Sequence, residues 1–309
     1  MPEGDIVWLT CHRLDRALAG RTLTRSDFRV PSLATTDLAG REVLTAAPRG
    51  KHLMIRISGG LTIHSHLRMD GAWRIFAQGR RWAGPGYEIR AVLGVQGIDA
   101  VGYRLPVLEV ISTERENDVV GHLGPDLLGP DWDADEAVRR LSAQPQRSIG
   151  EALLDQRNLA GIGTVYRAEI LFLQGIHPRT PVSEVRDLRR ICQRVQTIMA
   201  GNRGSFDQIT TGDRRPGRAH WVYGRAGRPC RRCGSPIEVE EFGPTGQERL
   251  SYWCPHCQPA PAGINESADR SGSRVDRQIR RTAARSPRAA TPGSSGARPG
   301  PDRRQPGSR

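Results

Sequence analysis

The sequence IGEALLDQRNLAGIGTVYRAEILF, residues 149–172, decides how the central part of the chain folds. Two runs with apolar residues at helical spacing flank a turn that contains Gly161 and Gly163, and Gly175 stands where the second run stops. Glycine permits a tight turn and a close approach of two backbones. The pattern therefore predicts a helix, a short turn and a second helix whose first N–H groups could hold a phosphate. A plain helical hairpin without a ligand stays open on these residues alone.

Before this segment the chain carries two other patterns. Residues 4–20 have apolar side chains at the spacing of one amphipathic helix, which Gly20 would end. Residues 21–118 contain short runs of alternating apolar and polar residues between Gly and Pro, such as 53–57 and 61–64. Runs of this kind are typical of antiparallel strands and predict a β-sandwich.

Four cysteines follow the helical segment in two closely spaced pairs. Cys230 and Cys233 form the first pair, and Cys254 and Cys257 form the second pair after twenty intervening residues. A two-residue gap lets one turn present both thiolates to the same ion, and four sulfur ligands are typical of a closed structural zinc site. The residues between the pairs predict a hairpin with Arg249 on its returning strand, where the side chain could reach a phosphate or stay in solvent.

The charge of the chain is high and unevenly distributed. The formal net charge is +13, and residues 262–309 contribute +7 of it from 11 arginines and four acidic residues. This segment has no Leu, Met, Phe, Trp, Tyr or Cys, so it cannot bury enough apolar surface to offset the entropy of ordering. It is predicted to be a disordered basic tail. A basic chain favours a polyanionic partner, either nucleic acid or an acidic membrane surface.

No targeting or membrane segment is predicted. No run reaches the roughly 18 uninterrupted apolar residues that a membrane helix needs. The acidic start, residues 1–5, lacks the hydrophobic core of a secretory signal. These features predict a cytosolic, cytoplasmic protein.

Two histidines, His64 and His66, alternate on one face of a predicted strand. A metal site usually has three or four ligands, and no third ligand is evident in the sequence. Structural roles are therefore expected for both histidines.

Several short motifs together resemble those of the formamidopyrimidine-DNA glycosylase/endonuclease VIII family. Their order and spacing along residues 1–258, rather than any single motif, carry the resemblance. The motifs are Pro2-Glu3-Gly4, Gly50-Lys51-His52-Leu53, His66-Leu67-Arg68-Met69-Asp70-Gly71, Leu123-Gly124-Pro125-Asp126, the helix–two-turn–helix of 153–172, and Val222-Tyr223-Gly224-Arg225 before the four cysteines.

The resemblance implies an α+β multidomain fold. Residues 1–130 are expected to form an N-terminal helix and a β-sandwich, and residues 131–220 a helical domain with the helix–two-turn–helix motif. Residues 221–258 would form a four-cysteine zinc-finger ribbon that holds one structural zinc ion, and residues 259–309 the disordered Arg-rich tail.

The resemblance also implies a bifunctional DNA glycosylase/AP lyase of base excision repair. Once Met1 is removed, the secondary amine of Pro2 would attack C1′ of the damaged nucleoside, expel the base and form a Schiff base. An α-amino group has a pKa of about 7.7–8.0, so part of it is neutral near pH 7. Glu3 would act as general acid/base, Lys51 as proton donor in β-elimination, and Arg249 as phosphate ligand in δ-elimination.

Lys51 is the one lysine among the 46 basic residues of the chain. In a composition so biased towards arginine, a position that needs charge alone is expected to carry Arg. Arginine cannot release its proton at neutral pH, whereas an amine can. The single lysine therefore favours a proton-transfer role beside a phosphate.

Damaged DNA is the partner that the resemblance implies, bound by a monomer in duplex, bubble or single-stranded form. Enzymes of this kind flip the damaged nucleotide out of the stack, and the family places intercalating side chains where Arg68-Met69-Asp70 stands. Gly161, Gly163 and Thr164 would contact phosphate. Thr164 replaces an Asn of many members, and its hydroxyl offers one donor where the amide offers two.

Two features favour the endonuclease VIII branch and oxidised pyrimidines as substrates. Gly4 stands where formamidopyrimidine glycosylases usually have Leu, and the loop between 206 and 223 is short for the lid that captures oxidised purines. Three alternatives stay open: an oxidised-purine glycosylase, a non-catalytic or weakly catalytic binder of abasic or damaged DNA, and a zinc-ribbon transcription accessory protein. The last of these leaves Pro2-Glu3 unexplained.

Overall fold

The computed structural model describes residues 2–243, 246 and 248–262, so Met1 and the predicted tail beyond 262 lie outside the described residues. The helices are α1 (Gly4–Leu18), α2 (Glu116–Val120), α3 (Ala134–Ser142), α4 (Ile149–Leu154), α5 (Thr164–Gln174) and α6 (Leu188–Asn202). The strands are β1 (Arg21–Phe28), β2 (Glu42–Arg49), β3 (His52–Ile57), β4 (Leu61–His66), β5 (Ala72–Ala77), β6 (Ile89–Val95), β7 (Ile98–Tyr103), β8 (Val107–Ser112), β9 (Glu238–Phe242) and β10 (Arg249–Trp253).

The first eight strands form the predicted β-sandwich. Their hydrogen-bonded order is β5-β7-β6-β1-β2-β3-β4-β8, and all neighbours are antiparallel. Buried side chains of both halves of the sheet, such as Ile55 and Leu93, share one hydrophobic core. The sheet therefore folds over where β1 meets β2. The predicted N-terminal helix is present as α1, which packs on β2 and buries Leu14 and Leu18 in the same core.

The helix–two-turn–helix segment forms as the sequence predicts. Ser148 caps α4 because its Oγ accepts a hydrogen bond from the N–H of Glu151. At the other end of the motif, Gly175 ends α5 with a left-handed backbone, φ 68°. Apolar side chains of α3, α4, α5 and α6 form a second core, which fixes the turn between α4 and α5.

The cysteine region packs against α5 as a small ribbon. Strands β9 and β10 pair as the predicted antiparallel hairpin, with Arg249 opposite Phe242. Phe172 of α5 shares a third core with Ile237 and Cys254, which sets β10 beside α5. Among the described residues, no helix is long and apolar enough to cross a membrane.

Candidate active site

The amino-terminal residues lie against the turn between α4 and α5. Glu3 is fully buried, and its carboxylate oxygens accept hydrogen bonds from the N–H groups of Gly163 (2.6 Å) and Val165 (2.7 Å). The partial positive charge at the amino end of α5 stabilises the ionised form of this carboxyl. The N–H of Gly4 donates to the carbonyl of Gly161 (2.8 Å), which fixes the start of α1 on the same turn.

Both positions of this turn require glycine, Gly163 because of a close contact and Gly161 because of its backbone conformation. A Cβ at Gly163 would lie 2.6 Å from Cδ of Glu3, and Gly161 has a φ of +102°. Their N–H groups, which were predicted to contact phosphate, donate hydrogen bonds within the protein. Gly163 donates to Glu3, and Gly161 donates to Oε1 of Gln156 (3.0 Å). Contact of the two glycines with DNA stays a prediction.

A buried polar group ties α1 to α5 and to the loop after α6. The hydroxyl of Tyr166 donates to Oδ2 of Asp5 (2.6 Å), and Nε2 of Gln208 donates to Oδ1 (3.1 Å). Burial raises the pKa of Asp5, while the hydrogen bonds from Tyr166 and Gln208 oppose that shift. These contacts hold the first turn of α1, and therefore Pro2 and Glu3, in one position.

Lys51 lies at the turn between β2 and β3. Gly50 in this turn has a φ of +57°, and its N–H donates to the buried carboxylate of Asp126 (2.6 Å). Asp126 in turn pairs with Ala160, next to the glycine turn. The carboxylate of Asp126 therefore holds the lysine turn, and the backbone around Asp126 holds the α4–α5 turn through its bridge to Ala160.

Glu3 and Lys51 affect each other's ionisation. Burial raises the pKa of Glu3 to about 7, although the charge of Lys51 and the hydrogen bond from Val165 oppose that shift. Burial lowers the pKa of Lys51, against the attraction of Glu3 and together with the repulsion of Arg249. A carboxyl with a pKa near 7 can give and take a proton at neutral pH, as general acid/base chemistry requires.

These groups border one cleft of about 540 Å³. The predicted site residues that line it are Pro2, Lys51, Arg68, Met69, Gly163, Thr164 and Arg249. Glu3 lies beneath its surface, and Gly161 and Asp70 are not among the lining residues. Arg147, Arg157 and Arg167 add positive charge to the lining, which suits a phosphate backbone.

The loop after β4 carries the residues that the resemblance places inside DNA. Arg68 has a φ of +51°, a backbone conformation that costs on the order of 1 kcal/mol in a residue with a side chain. Met69 follows it and is 67% exposed. Asp70 is also exposed and lies 3.6 Å from Arg104 in an ion pair. The loop therefore presents an apolar side chain to solvent at the mouth of the cleft.

The four cysteines form a cluster that fits zinc. Their Sγ atoms all lie within 4.8 Å of one another, with Cys230 and Cys257 4.0 Å apart and Cys233 and Cys254 3.4 Å apart. Zinc with Zn–S bonds of about 2.3 Å holds its four sulfurs about 3.8 Å apart in a tetrahedron. The cysteines can therefore close around one ion and hold the ribbon in shape.

Comparison with known proteins decides the family. Sequence models of the formamidopyrimidine-DNA glycosylase N-terminal domain, its H2TH domain and the zinc finger found in FPG and IleRS match residues 1–99, 123–204 and 227–260. A Streptomyces coelicolor protein named probable endonuclease 8 2 is 56% identical over 265 residues, which are 85% of this chain and 95% of that protein. The chain belongs to the formamidopyrimidine-DNA glycosylase/endonuclease VIII family.

Two further members show how the likeness is distributed. The Mycolicibacterium smegmatis protein named DNA-(apurinic or apyrimidinic site) lyase Nei2 is 49% identical over 260 residues, 84% of this chain and all of that one. A Lactococcus lactis Fpg in complex with abasic-site DNA has the same fold, with a TM-score of 0.69 at 22% identity, over 84% of this chain and all of that one. The relatives named endonuclease 8 support the predicted endonuclease VIII branch, and the finger match agrees with one structural zinc ion.

Two residues of this family member had no role in the sequence prediction. Arg167 is fully buried in α5 and lines the cleft. Its Nη2 donates a hydrogen bond to the carbonyl of Leu250 (2.8 Å), and burial lowers the pKa of Arg167 to about 10. An arginine within an apolar helical run was the available signal, but it is weak in a chain so rich in arginine. Asp126 stood in a quoted motif, and its contact with Gly50 depends on residues 76 positions apart.

Proposed function

We propose that this chain, a DNA repair glycosylase and AP lyase by its family, reacts through the amine of Pro2 with Glu3 as its acid/base partner. The observation that carries the proposal is the fully buried Glu3 carboxyl with a pKa of about 7, next to Pro2 at the cleft that Lys51 lines. Exposed carboxyls near pKa 4.3 would hold no proton at neutral pH. Burial therefore supplies what an acid at the sugar oxygen needs.

The reaction follows from these positions. The neutral amine of Pro2 forms a bond to C1′ as the bond to the base breaks, and the amine proton passes to the departing base. Glu3 gives a proton to O4′ as the sugar ring opens, which leaves an iminium between Pro2 and C1′. In the elimination, the Glu3 carboxylate takes a proton from C2′ and the 3′ phosphate leaves, with Lys51 at the phosphate side as proton donor. Arg249, on the opposite wall, would hold a phosphate during δ-elimination.

The cleft supports damaged DNA as the substrate. A buried glycosidic bond is reached by flipping the nucleotide out of the stack. Met69 is exposed at the cleft mouth and can fill the space that the flipped nucleotide leaves, while Arg68 beside it can contact the backbone. We infer a preference for oxidised pyrimidines, in duplex, bubble or single-stranded DNA bound by a monomer in the cytoplasm.

Borohydride reduction tests the nucleophile. The protein should form a covalent adduct with abasic-site or oxidised-pyrimidine DNA, and Pro2→Gly should lose it. Pro31→Gly, at an exposed turn that does not line the cleft, serves as the matched control and should keep the adduct. Mass spectrometry must find Met1 removed. A mature protein that starts at Pro2 and forms no adduct would contradict the mechanism.

A non-catalytic damage binder is the second candidate, and Thr164 is the residue that favours it. Its side chain is 7% exposed and offers a single hydroxyl donor to phosphate. This candidate expects tight binding of abasic-site duplex without strand cleavage. An oxidised-purine glycosylase, the third candidate, expects faster adduct formation with oxidised-purine DNA than with oxidised-pyrimidine DNA.

A further inference from the structure

Next to Lys51, the side chains of His52, His64 and Glu109 form a continuous hydrogen-bonded row across the sandwich. Nδ1 of His64 lies 2.7 Å from Oε1 of Glu109, and Nε2 of His64 lies 2.8 Å from Nδ1 of His52. Strand pairing produces the row, because His64 stands opposite Glu109 and diagonal to His52 on the same face. None of these contacts is used by the mechanism above.

When Glu109 is ionised, all hydrogen bonds in the row are donated in the same direction, towards Glu109. A carboxylate only accepts hydrogen bonds, so Nδ1 of His64 carries the proton and Nε2 accepts. His52 then donates from Nδ1, and its Nε2 keeps a free lone pair. The His64 side chain is 2% exposed, whereas that of Glu109 is 46% exposed. The row therefore begins in solvent and passes through the interior of the protein.

The inner end of the row lies next to the cleft. His52 directly follows Lys51 in the chain, and its ring meets the edge of His66 with centroids 5.0 Å apart. Three residues close to His52, namely His66, Arg68 and His122, line the cleft. Burial, helped by His66 and His64, lowers the pKa of His52 to about 3, so the ring is neutral at physiological pH and carries a proton on only one of its two nitrogens. The ring contacts His66, a residue of the cleft lining, directly.

A metal site is the other arrangement that clustered histidines offer. In the part of the chain that the structure describes, the group whose ligand atoms come close enough together is the four-cysteine cluster. The short nitrogen–nitrogen contact between the two rings is that of a hydrogen bond, with one donor and one acceptor. Proton transfer is the chemistry that such a row supports.

We propose that Glu109, His64 and His52 form a proton relay between solvent and the phosphate side of the cleft. The proposal rests on the lyase activity proposed above. When a proton leaves the cleft, it binds Nε2 of His52, the Nδ1 proton of His52 moves to Nε2 of His64, and the Nδ1 proton of His64 moves to the Glu109 carboxylate. Each ring gains one N–H bond and loses one. The reverse passage restores the starting tautomers. Bound DNA covers the cleft and blocks the direct route of protons to bulk water, so protons pass through the relay instead.

The conservative variant Glu109→Gln tests the relay. Its amide oxygen still accepts from His64, so the row keeps its geometry, but an amide does not take up the proton. In single-turnover cleavage of abasic-site duplex, Glu109→Gln should be about tenfold slower at neutral pH, with a larger solvent deuterium isotope effect and a changed pH profile. Its affinity for an uncleavable abasic-site analogue and its melting temperature should match those of the unaltered protein.

Glu116→Gln is the matched control on the same face. Glu116 accepts hydrogen bonds from Arg56 and Thr62 and is not among the residues that line the cleft. This variant should cleave at the unaltered rate with the same isotope effect. Unchanged cleavage by Glu109→Gln would overturn the relay, and so would a loss of rate that only follows weaker DNA binding or a lower melting temperature. If the unaltered protein does not cleave, the proposed function fails first, and the relay with it.

Discussion

The two walls of the cleft differ in how far contacts within the protein fix their side chains. The amino-terminal wall presents Pro2 and Lys51 to the cleft, and Glu3 lies fully buried behind Pro2 and accepts hydrogen bonds from two N–H groups at the start of α5. The finger wall presents Arg249 from β10. That side chain is exposed, and its guanidinium donates to the carbonyl of the adjacent residue Glu248 (2.9 Å).

This difference separates two tasks. An acid/base group must be held to within a fraction of an ångström before the substrate arrives, because its pKa depends on burial. A phosphate ligand can remain mobile, because the charge of DNA attracts it over several ångströms. Small structural changes in the amino-terminal wall should therefore alter both reaction rate and stability. Changes in the finger wall should mainly alter DNA binding.

The largest effect is expected from one methyl group added beside the amino-terminal wall. In Gly163→Ala the new Cβ would lie 2.6 Å from Cδ of Glu3, so the carboxyl or the turn must move. A displacement of about 1 Å costs roughly a hundredfold in rate, and adduct formation with abasic-site DNA should fall by at least that factor. Gly201→Ala in α6 is the control, since nothing lies within 4 Å of its added Cβ. Equal adduct formation by both variants would show that the position of Glu3 is unimportant.

The raised pKa of Glu3 should appear in the pH dependence of stability. The pKa changes from 4.5 in the unfolded chain to about 7 in the fold, so the contribution of this group to stability is complete below pH 4.5 and is lost as the pH rises through 7. The loss amounts to about 3 kcal/mol of unfolding free energy. Urea unfolding of Glu3→Gln across this range should lack that decline, while Glu42→Gln, at an exposed carboxyl, should keep it. Parallel curves for Glu3→Gln and the unaltered protein would contradict the burial argument.

The same contrast explains what the sequence could predict. Helices α1, α4 and α5, the strand runs and the zinc ligands follow from local spacing, glycine position and ligand chemistry, and the structure confirms these elements. The environment of Glu3 depends instead on two hydrogen bonds across 160 and 162 positions of the chain, which no local pattern contains. His64 was expected to be structural for the same reason. Its link from Glu109 to His52 exists only once β3, β4 and β8 pair in register.

Arg249→Ala tests whether the finger wall acts mainly in DNA binding. The residue is exposed, so the melting temperature should stay within about a degree of the unaltered value, as is usual for surface positions. Affinity for abasic-site duplex should fall about tenfold, and the slope of log K against log salt should flatten by about one. Products should shift from δ- towards β-elimination. Arg115→Ala, at an exposed arginine paired with Asp118, should change none of these. An unaltered salt slope in Arg249→Ala would remove Arg249 from the phosphate contacts.

Met69 lies between the two walls and should give the smallest effect. Its side chain is 67% exposed in the free protein, so Met69→Ala should change the unfolding free energy by no more than about 0.5 kcal/mol. In the complex, the same side chain would fill the gap left by the flipped nucleotide. The truncated variant should therefore lose severalfold in its preference for abasic-site over intact duplex, as measured by the ratio of the two Kd values, and Met69→Leu should restore most of it. Because neither wall is altered, cleavage of bound substrate should persist. An unchanged Kd ratio in Met69→Ala would mean that the exposed methionine does not enter the stack, and that the two walls alone recognise the lesion.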